Sequence, residues 1–415
     1  AQGGEVGANE IPIPDEATAQ AYVEAVKGQA ATVTSVKVRT SKRNPAPPFT
    51  TSTMQQEASR KLSYGPKRTM SVAQRLYEGI EIDGEPTGLI TYMRTDSVNL
   101  AKSAQTEAHD VISARYGPEY AVEGGRGYKT KAKGAQEAHE AIRPTSFTRH
   151  PDSLKGRIKD DELRLYRLIW QRALASQMAQ KHMETTAAEL EAGRFGLRAS
   201  ATRTTFDGFT KVYTEGRDDG ADDEAEARLP ALTEGDRSQV ADVEGEQHFT
   251  EPPPRVTEAT LIKALEEHGI GRPSTYAATI STIQDRGYVK VVERRLRPEV
   301  VAGIVTDVLV EHFGDYVDLA FTAHMEEELD EVAAGTRAWE PLLREFYDPL
   351  IALVDEKRKT LTRKELTTEE TEEVCSEGHP MVIRLGRNGR FLACSMYPDH
   401  KETRDIPGEE PDMPQ

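Results

Sequence analysis

Apolar and polar positions along the 415-residue chain change period several times, and each change predicts an element. Alternation from Ala31 to Arg39 predicts a strand, which Pro45, Pro47 and Pro48 break. Helical spacing follows twice, at Met54, Ala58 and Leu62 and at Met70, Ala73, Leu76 and Tyr77. Gly84, Pro86 and Gly88 mark a turn into the short, apolar, β-prone run Gly88 to Met93. Helices are then expected over Ser103 to Tyr116 and over Gln136 to Ile142, the second stopped by Pro144. A long amphipathic helix from Asp161 to Met178 carries Leu165, Leu168, Ile169 and Leu174 on one side. Alternation with glycine turns predicts antiparallel strands at Glu184 to Glu191, Phe195 to Ala201 and Gly208 to Val212.

The stretch Glu215 to Glu226 has almost no apolar residue and reads as a loop, and Pro252, Pro253 and Pro254 mark a junction. Thr257 is suited to cap a helix that ends near Gly269, and Pro273 to open one that ends at Gly287. Tyr288 to Val292 with Arg294 to Arg297 predicts a basic hairpin, after which helices resume at Val300 to His312, His324 to Ala334 and Trp339 to Lys357. A Thr/Glu-rich linker leads to a cysteine-bearing tail. The pattern is α+β, mostly α, in a chain too long for one compact core.

Composition narrows the function classes. No stretch approaches the roughly 18 consecutive apolar residues of a membrane span, and Ala1 to Glu10 lacks the pattern of a signal peptide. The missing initiator Met points to an internal fragment or a trimmed start, with Met removal as the plainer alternative. Two cysteines, Cys375 and Cys394, are too few for a disulfide framework, so a cytoplasmic home is expected. The net charge of −17 argues against a polyanionic partner only until its distribution is considered. Between Val36 and Tyr77 stand Lys37, Arg39, Lys42, Arg43, Arg60, Lys61, Lys67, Arg68 and Arg75, with Glu57 as the sole acid. Further basic clusters are Arg286, Lys290, Arg294, Arg295 and Arg297, and Arg126, Lys129, Lys131 and Lys133. The acids collect elsewhere, so a phosphate polyanion would meet basic surface locally.

The richest run is Gly88-Leu89-Ile90-Thr91-Tyr92-Met93-Arg94-Thr95-Asp96-Ser97. A phenol with a pKa near 10 is ionised only about once in a thousand at neutral pH, so a nucleophilic tyrosine needs a cation close by. In extended backbone, residues two apart share a side, which would let Tyr92 and Arg94 meet one phosphate together while Asp96 orients Arg94. Alone, Thr-Tyr-Met-Arg is more often a buried tyrosine with a partnered arginine.

This run resembles the active-site segment of bacterial type IA DNA topoisomerases. The resemblance continues in Pro47-Pro48-Phe49-Thr50-Thr51-Ser52-Thr53-Met54-Gln55-Gln56, Ala73-Gln74-Arg75-Leu76-Tyr77-Glu78, Gln136-Glu137-Ala138-His139-Glu140-Ala141-Ile142-Arg143-Pro144 and Gly269-Ile270-Gly271-Arg272-Pro273-Ser274-Thr275-Tyr276. It implies that Tyr92 forms a 5′-phosphotyrosine with single-stranded DNA, that Arg94 steadies the scissile phosphate, and that His139 binds beside it. It also implies supporting or DNA-contacting roles for Gln74, Glu78, Thr91, Thr95, Asp96, Arg143, Arg272, Ser274 and Thr275. The activity it implies is ATP-independent relaxation of negatively supercoiled DNA by a monomer at the bacterial nucleoid, the alternative being a catalytically silent single-stranded-DNA-binding module.

The architecture it implies is a β-rich arch at residues 1–46 and 179–253, with an acidic loop at 215–228. A helical gate at 47–178 and a helical DNA-binding domain at 254–363 go with it, and a zinc-ribbon-like module at 374–405. Family members also carry a Toprim domain, which supplies Mg²⁺ ligands and a general acid. Its motifs are not found here in a suitable context, since Asp218, Asp219, Asp222 and Asp223 lie among glycines and alanines. The chain is therefore expected to bind DNA but cleave it poorly alone. In the tail, Gly378 and His400 stand where the ribbon has its second and fourth cysteines. Two readings stay open: a zinc site of Cys375, His379, Cys394 and His400, or a degenerate ribbon that folds without metal.

Overall fold

The computed structural model describes residues 13–129, 139–216, 218, 229–362, 366, 368–386 and 389–406. Helix α1 (Glu16–Val26), capped by the Asp15 carboxylate, leads into the long strand β1 (Ala30–Arg43). Two helices follow the proline break, α2 (Thr51–Leu62) and α3 (Pro66–Glu78), then a small hairpin of β2 (Ile80–Ile82) and β3 (Glu85–Thr87). Helices α4 (Lys102–Tyr116) and α5 (Asp160–Ser176) complete a helical body. Its core is one continuous apolar cluster containing Phe49, Met54, Leu76, Ile112, Phe147, Tyr166 and Trp170. Buried polar edges of this core are satisfied locally: the Trp170 indole N–H donates to the Phe147 carbonyl at 3.0 Å and the Tyr166 hydroxyl to the Arg149 carbonyl at 2.7 Å.

From that body the chain enters β4 (Lys181–Ala192) and β5 (Phe195–Phe206), which with β1 and β6 (Arg237–Gln239) form an antiparallel sheet in the order β5-β4-β1-β6. A second helical part starts at α6 (Glu258–Glu267) and α7 (Tyr276–Asp285), continues through the hairpin β7 (Val289–Val292) and β8 (Arg295–Pro298), and ends with α8 (Val300–Val317), α9 (Leu319–Ala333) and α10 (Trp339–Thr360). Helix α6 packs on α2 and α7 on α3. The tail is a separate antiparallel sheet in the order β12-β11-β10-β9, from β9 (Thr368–Val374), β10 (Pro380–Gly386), β11 (Gly389–Cys394) and β12 (Thr403–Arg404). No described helix is long and apolar enough to cross a membrane.

The α+β, mainly helical reading holds, and several local expectations do not. Gly208 to Val212 is not a strand but a short 3-10 turn at Gly208–Lys211, because Gly208 takes a φ of 51° and Phe209 folds inward against the core. The run Gly88 to Met93 forms no regular strand; it makes one bridge, Ile90 to Pro144. Of the helix expected at Gln136 to Ile142, residues 136–138 lie outside the described set, and the rest is extended, with Ile142 bridging Phe49. Helix α7 begins at Tyr276 rather than at Pro273, since Arg272 to Thr275 close a turn. Most of the acidic stretch after Glu215 also lies outside the described residues.

Candidate active site

Tyr92 stands on a segment held between the start of α2 and the stretch Ala141 to Arg143. Thr50 caps α2 with its side chain, which fixes Thr51 at the first helical position. The Thr51 hydroxyl lies 2.7 Å from the Met93 carbonyl and 3.1 Å from the Thr95 carbonyl, and accepts the Thr95 N–H at 2.9 Å. Its own backbone N–H donates to the Thr95 carbonyl at 2.9 Å. On the other flank, the Thr91 N–H donates to the Arg143 carbonyl at 2.9 Å, and the Thr91 hydroxyl donates to the Ala141 carbonyl at 2.7 Å while accepting the Arg143 N–H at 3.0 Å. The backbone around Tyr92 is thus pinned on both sides, and by one helix N-terminus.

Pinning gives the segment an alternating exposure without a regular strand. Met93, Thr95 and Ser97 are buried, whereas Tyr92 is 43% exposed and Arg94 is exposed beside it. Tyr92 and Arg94 are thus both open to solvent, two residues apart on this segment. Among the described residues the Tyr92 hydroxyl, the Arg94 guanidinium and the exposed His139 imidazole have no hydrogen-bond or ion-pair partner. His139 lies two residues before Ala141, on the strap that grips Thr91.

The expected partner of Arg94 is a correction. Asp96 makes no ion pair with it; burial and the Glu266 charge push the Tyr276 phenol at the start of α7 up to about 12, and the Asp96 charge adds to that rise. Arg143 is likewise a structural residue here, its guanidinium donating to Glu140 at 2.7 Å and to the Pro144 carbonyl at 3.0 Å. Thr95 is buried, and its hydroxyl accepts the Ser97 N–H at 3.0 Å. Arg272 is bound to Asp330 at 2.7 Å, and Thr275 Oγ1 accepts the Arg272 N–H at 2.8 Å, so these two tie the Gly269 to Thr275 turn to α9. Ser274 stands exposed in the same turn. Gln74 donates to Glu78 one turn along α3, which confirms the shared face.

Sequence periodicity misplaced one residue. Tyr77 fits the apolar stripe of α3, yet it is 40% exposed and sets its ring edge-on to Tyr92 with centroids 5.2 Å apart. Its place in the Ala73 to Glu78 run, next to Glu78, was the signal available. Thr51 was the other omission, because a threonine in a helix start usually means capping alone.

The tail holds a second constellation. The ligand atoms of Cys375, His379, Cys394 and His400 all lie within 4.8 Å of one another. Cys375 Sγ is 3.9 Å from Cys394 Sγ and 3.6 Å from His379 Nδ1. Tetrahedral zinc with bonds of about 2.3 Å to sulfur and 2.0 Å to nitrogen has edges of roughly 3.5–3.8 Å. His400 Nδ1 is buried without a partner among the described residues, while its Nε2 faces Glu377 and Glu402 at 3.8 and 3.9 Å. The donor set fits zinc. No carboxylate cluster of comparable geometry stands beside Tyr92 among the described residues, so the site there does not by itself fit Mg²⁺.

A family model described as DNA topoisomerase matches residues 3–344. The solved structure of full-length topoisomerase I from Thermotoga maritima is similar to this chain with a TM-score of 0.79 at 34% sequence identity. The match covers 97% of this chain and 64% of that one, so the chain spans somewhat under two thirds of that relative.

Proposed function

The chain belongs to the bacterial type IA DNA topoisomerase family, and on that premise we propose that Tyr92 cleaves single-stranded DNA by transesterification. The phenolic oxygen forms a bond to phosphorus, the bond from phosphorus to the 3′ oxygen breaks, and the phenolic proton leaves as the 3′ hydroxyl gains one. The phosphodiester is exchanged rather than hydrolysed, so resealing is the reverse reaction and needs no ATP. Between the two steps a second strand passes, which relaxes negatively supercoiled DNA. Arg94 shares the phosphate oxygens and stabilises their charge in the transition state, and His139 supports the same phosphate. The observation that carries this reading is the unpartnered, outward-facing pair Tyr92 and Arg94 on backbone pinned by Thr51 and Thr91.

Magnesium, which relatives hold in a Toprim domain, would help balance the phosphate charge; no step is assigned to it on these residues. The chain by itself then binds single strands and forms little covalent adduct. Tyr92→Phe provides the test, using an oligonucleotide, Mg²⁺ and a separately supplied Toprim domain. Loss of the adduct with affinity nearly unchanged is the expected result. An adduct that survives the substitution would transfer the nucleophile elsewhere, and no adduct from either protein would favour a silent single-strand-binding module. The cysteine-bearing tail supports a second, structural reading: Cys375, His379, Cys394 and His400 hold a zinc ion that joins the β9–β10 turn to the end of β11.

A further inference from the structure

About 670 Å³ of open cleft lies between the end of β1, the last turn of α2 and the start of α6. Four guanidinium groups line it, from Arg43, Arg60, Arg255 and Arg295, together with the carboxylates of Glu215 and Asp218. These four arginines come from segments far apart in sequence, so no local helix or strand periodicity explains their convergence. Like charges gather at a cost unless an anion answers them.

The anion in this structure is part of the chain. Asp218 Oδ1 accepts from Arg60 Nε at 2.8 Å and Oδ2 from the Arg60 terminal nitrogen at 2.9 Å. That two-point fork is the geometry with which arginine also holds the two free oxygens of a phosphodiester. Glu215 divides itself between Arg172 at 3.1 Å and Arg43 at 3.5 Å. The Arg255 guanidinium is exposed and unpartnered among the described residues, and Arg295 donates to the Arg255 backbone carbonyl at 2.9 Å. Glu57 also holds Arg60, at 3.2 Å, so three carboxylates answer the four lining guanidiniums, and Arg255 keeps its positive charge to spare. Its position matters as well. Arg60 is nine residues along α2 from Thr51, which grips the Tyr92 segment, a separation of roughly 14 Å along the helix.

We propose that this cleft binds a phosphodiester of a single DNA strand, and that Glu215 and Asp218 occupy it as internal phosphate mimics until a strand displaces them. The inference rests on the DNA-binding reading above. It predicts that the acidic residues weaken DNA binding through two named guanidiniums rather than through net charge alone.

The experiment measures the affinity of the whole chain for labelled oligo(dT) across a series of salt concentrations. Glu215→Gln with Asp218→Asn should bind more tightly at low salt. The slope of log affinity against log salt should also steepen by roughly 0.7 for each arginine freed to meet phosphate. Adding Arg60→Ala to that pair should remove the gain. Arg255→Ala, which disturbs no contact in the fold, should weaken binding in the neutralised protein more than in the parent. An unchanged slope and affinity in the neutralised protein, with its melting temperature intact, would overturn the proposal and leave the carboxylates as a structural clasp. A gain that survives Arg60→Ala would overturn it too, as a net-charge effect. Failure of the parent chain to bind oligo(dT) at any salt would instead sink the DNA-binding reading, and this inference with it.

Discussion

Thr51 shows how much a single hydroxyl can decide. It serves the carbonyl of Met93 and both backbone groups of Thr95, all in buried surroundings where water cannot replace it. Thr51→Val keeps the shape and leaves the Met93 carbonyl and the Thr95 N–H unpaired, while the Thr51 backbone N–H still serves the Thr95 carbonyl; this should cost about 1–3 kcal/mol. Adduct formation should fall more steeply than oligonucleotide affinity, and Thr51→Ser should restore both. Thermal melting together with an adduct assay checks this; a Val variant that melts and cleaves like the parent would remove Thr51 from the positioning role. At this scale the sequence placed an exposed tyrosine and an exposed arginine two residues apart, with the buried Met93 between them. It did not reveal that Asp96 makes no ion pair with Arg94, or that Tyr77 sets its ring against Tyr92, since both depend on how separate segments pack.

Elements were legible where their stop and start signals are local. Thr257 caps α6 and pairs with Thr260 in a reciprocal capping box, and the apolar spacing of α5 places Leu165, Leu168, Ile169 and Leu174 in the core as expected. The sequence failed where tertiary contacts overrode local preference. Gly208 to Val212 has strand-like residues, but the chain must turn back against the body at that point, and a Cβ on Gly208 would collide with the Gln180 carbonyl. Gly208→Ala should therefore destabilise the protein by more than about 1 kcal/mol, through both that collision and the positive φ. Gly193→Ala, also at positive φ but in a hairpin turn with space around it, should cost less. Denaturant melts of the two variants decide it, and equal losses would mean that backbone strain alone accounts for both.

On the scale of the whole molecule, two bodies draw on different sources of stability. The helical body buries a large continuous core, whereas the tail encloses only Cys375, Met381, Leu392 and Cys394 with a few partly buried neighbours. So small a core rarely holds a sheet together without a staple. The protein purified from zinc-replete cells should carry one zinc per chain. Chelation or Cys394→Ser should then abolish amide protection in residues 368–406 and leave that of α5 unchanged. Metal-free protein with a protected tail would return the module to a ribbon that folds without zinc.

The chain's own order of residues determined its mainly helical α+β class, the exposed Tyr92 with an arginine two residues on, and the spacing of two cysteines and two histidines that could hold a metal. Those features are encoded within a few residues, where periodicity, capping and motif spacing act. Tertiary structure alone decided which groups stay free. It sent Arg143 and Arg272 to carboxylates, left Arg94 open, and drew arginines from separate segments around one cleft. The reason is physical: a charged side chain takes the nearest compatible partner in space, and distance in space is fixed only once the cores have packed.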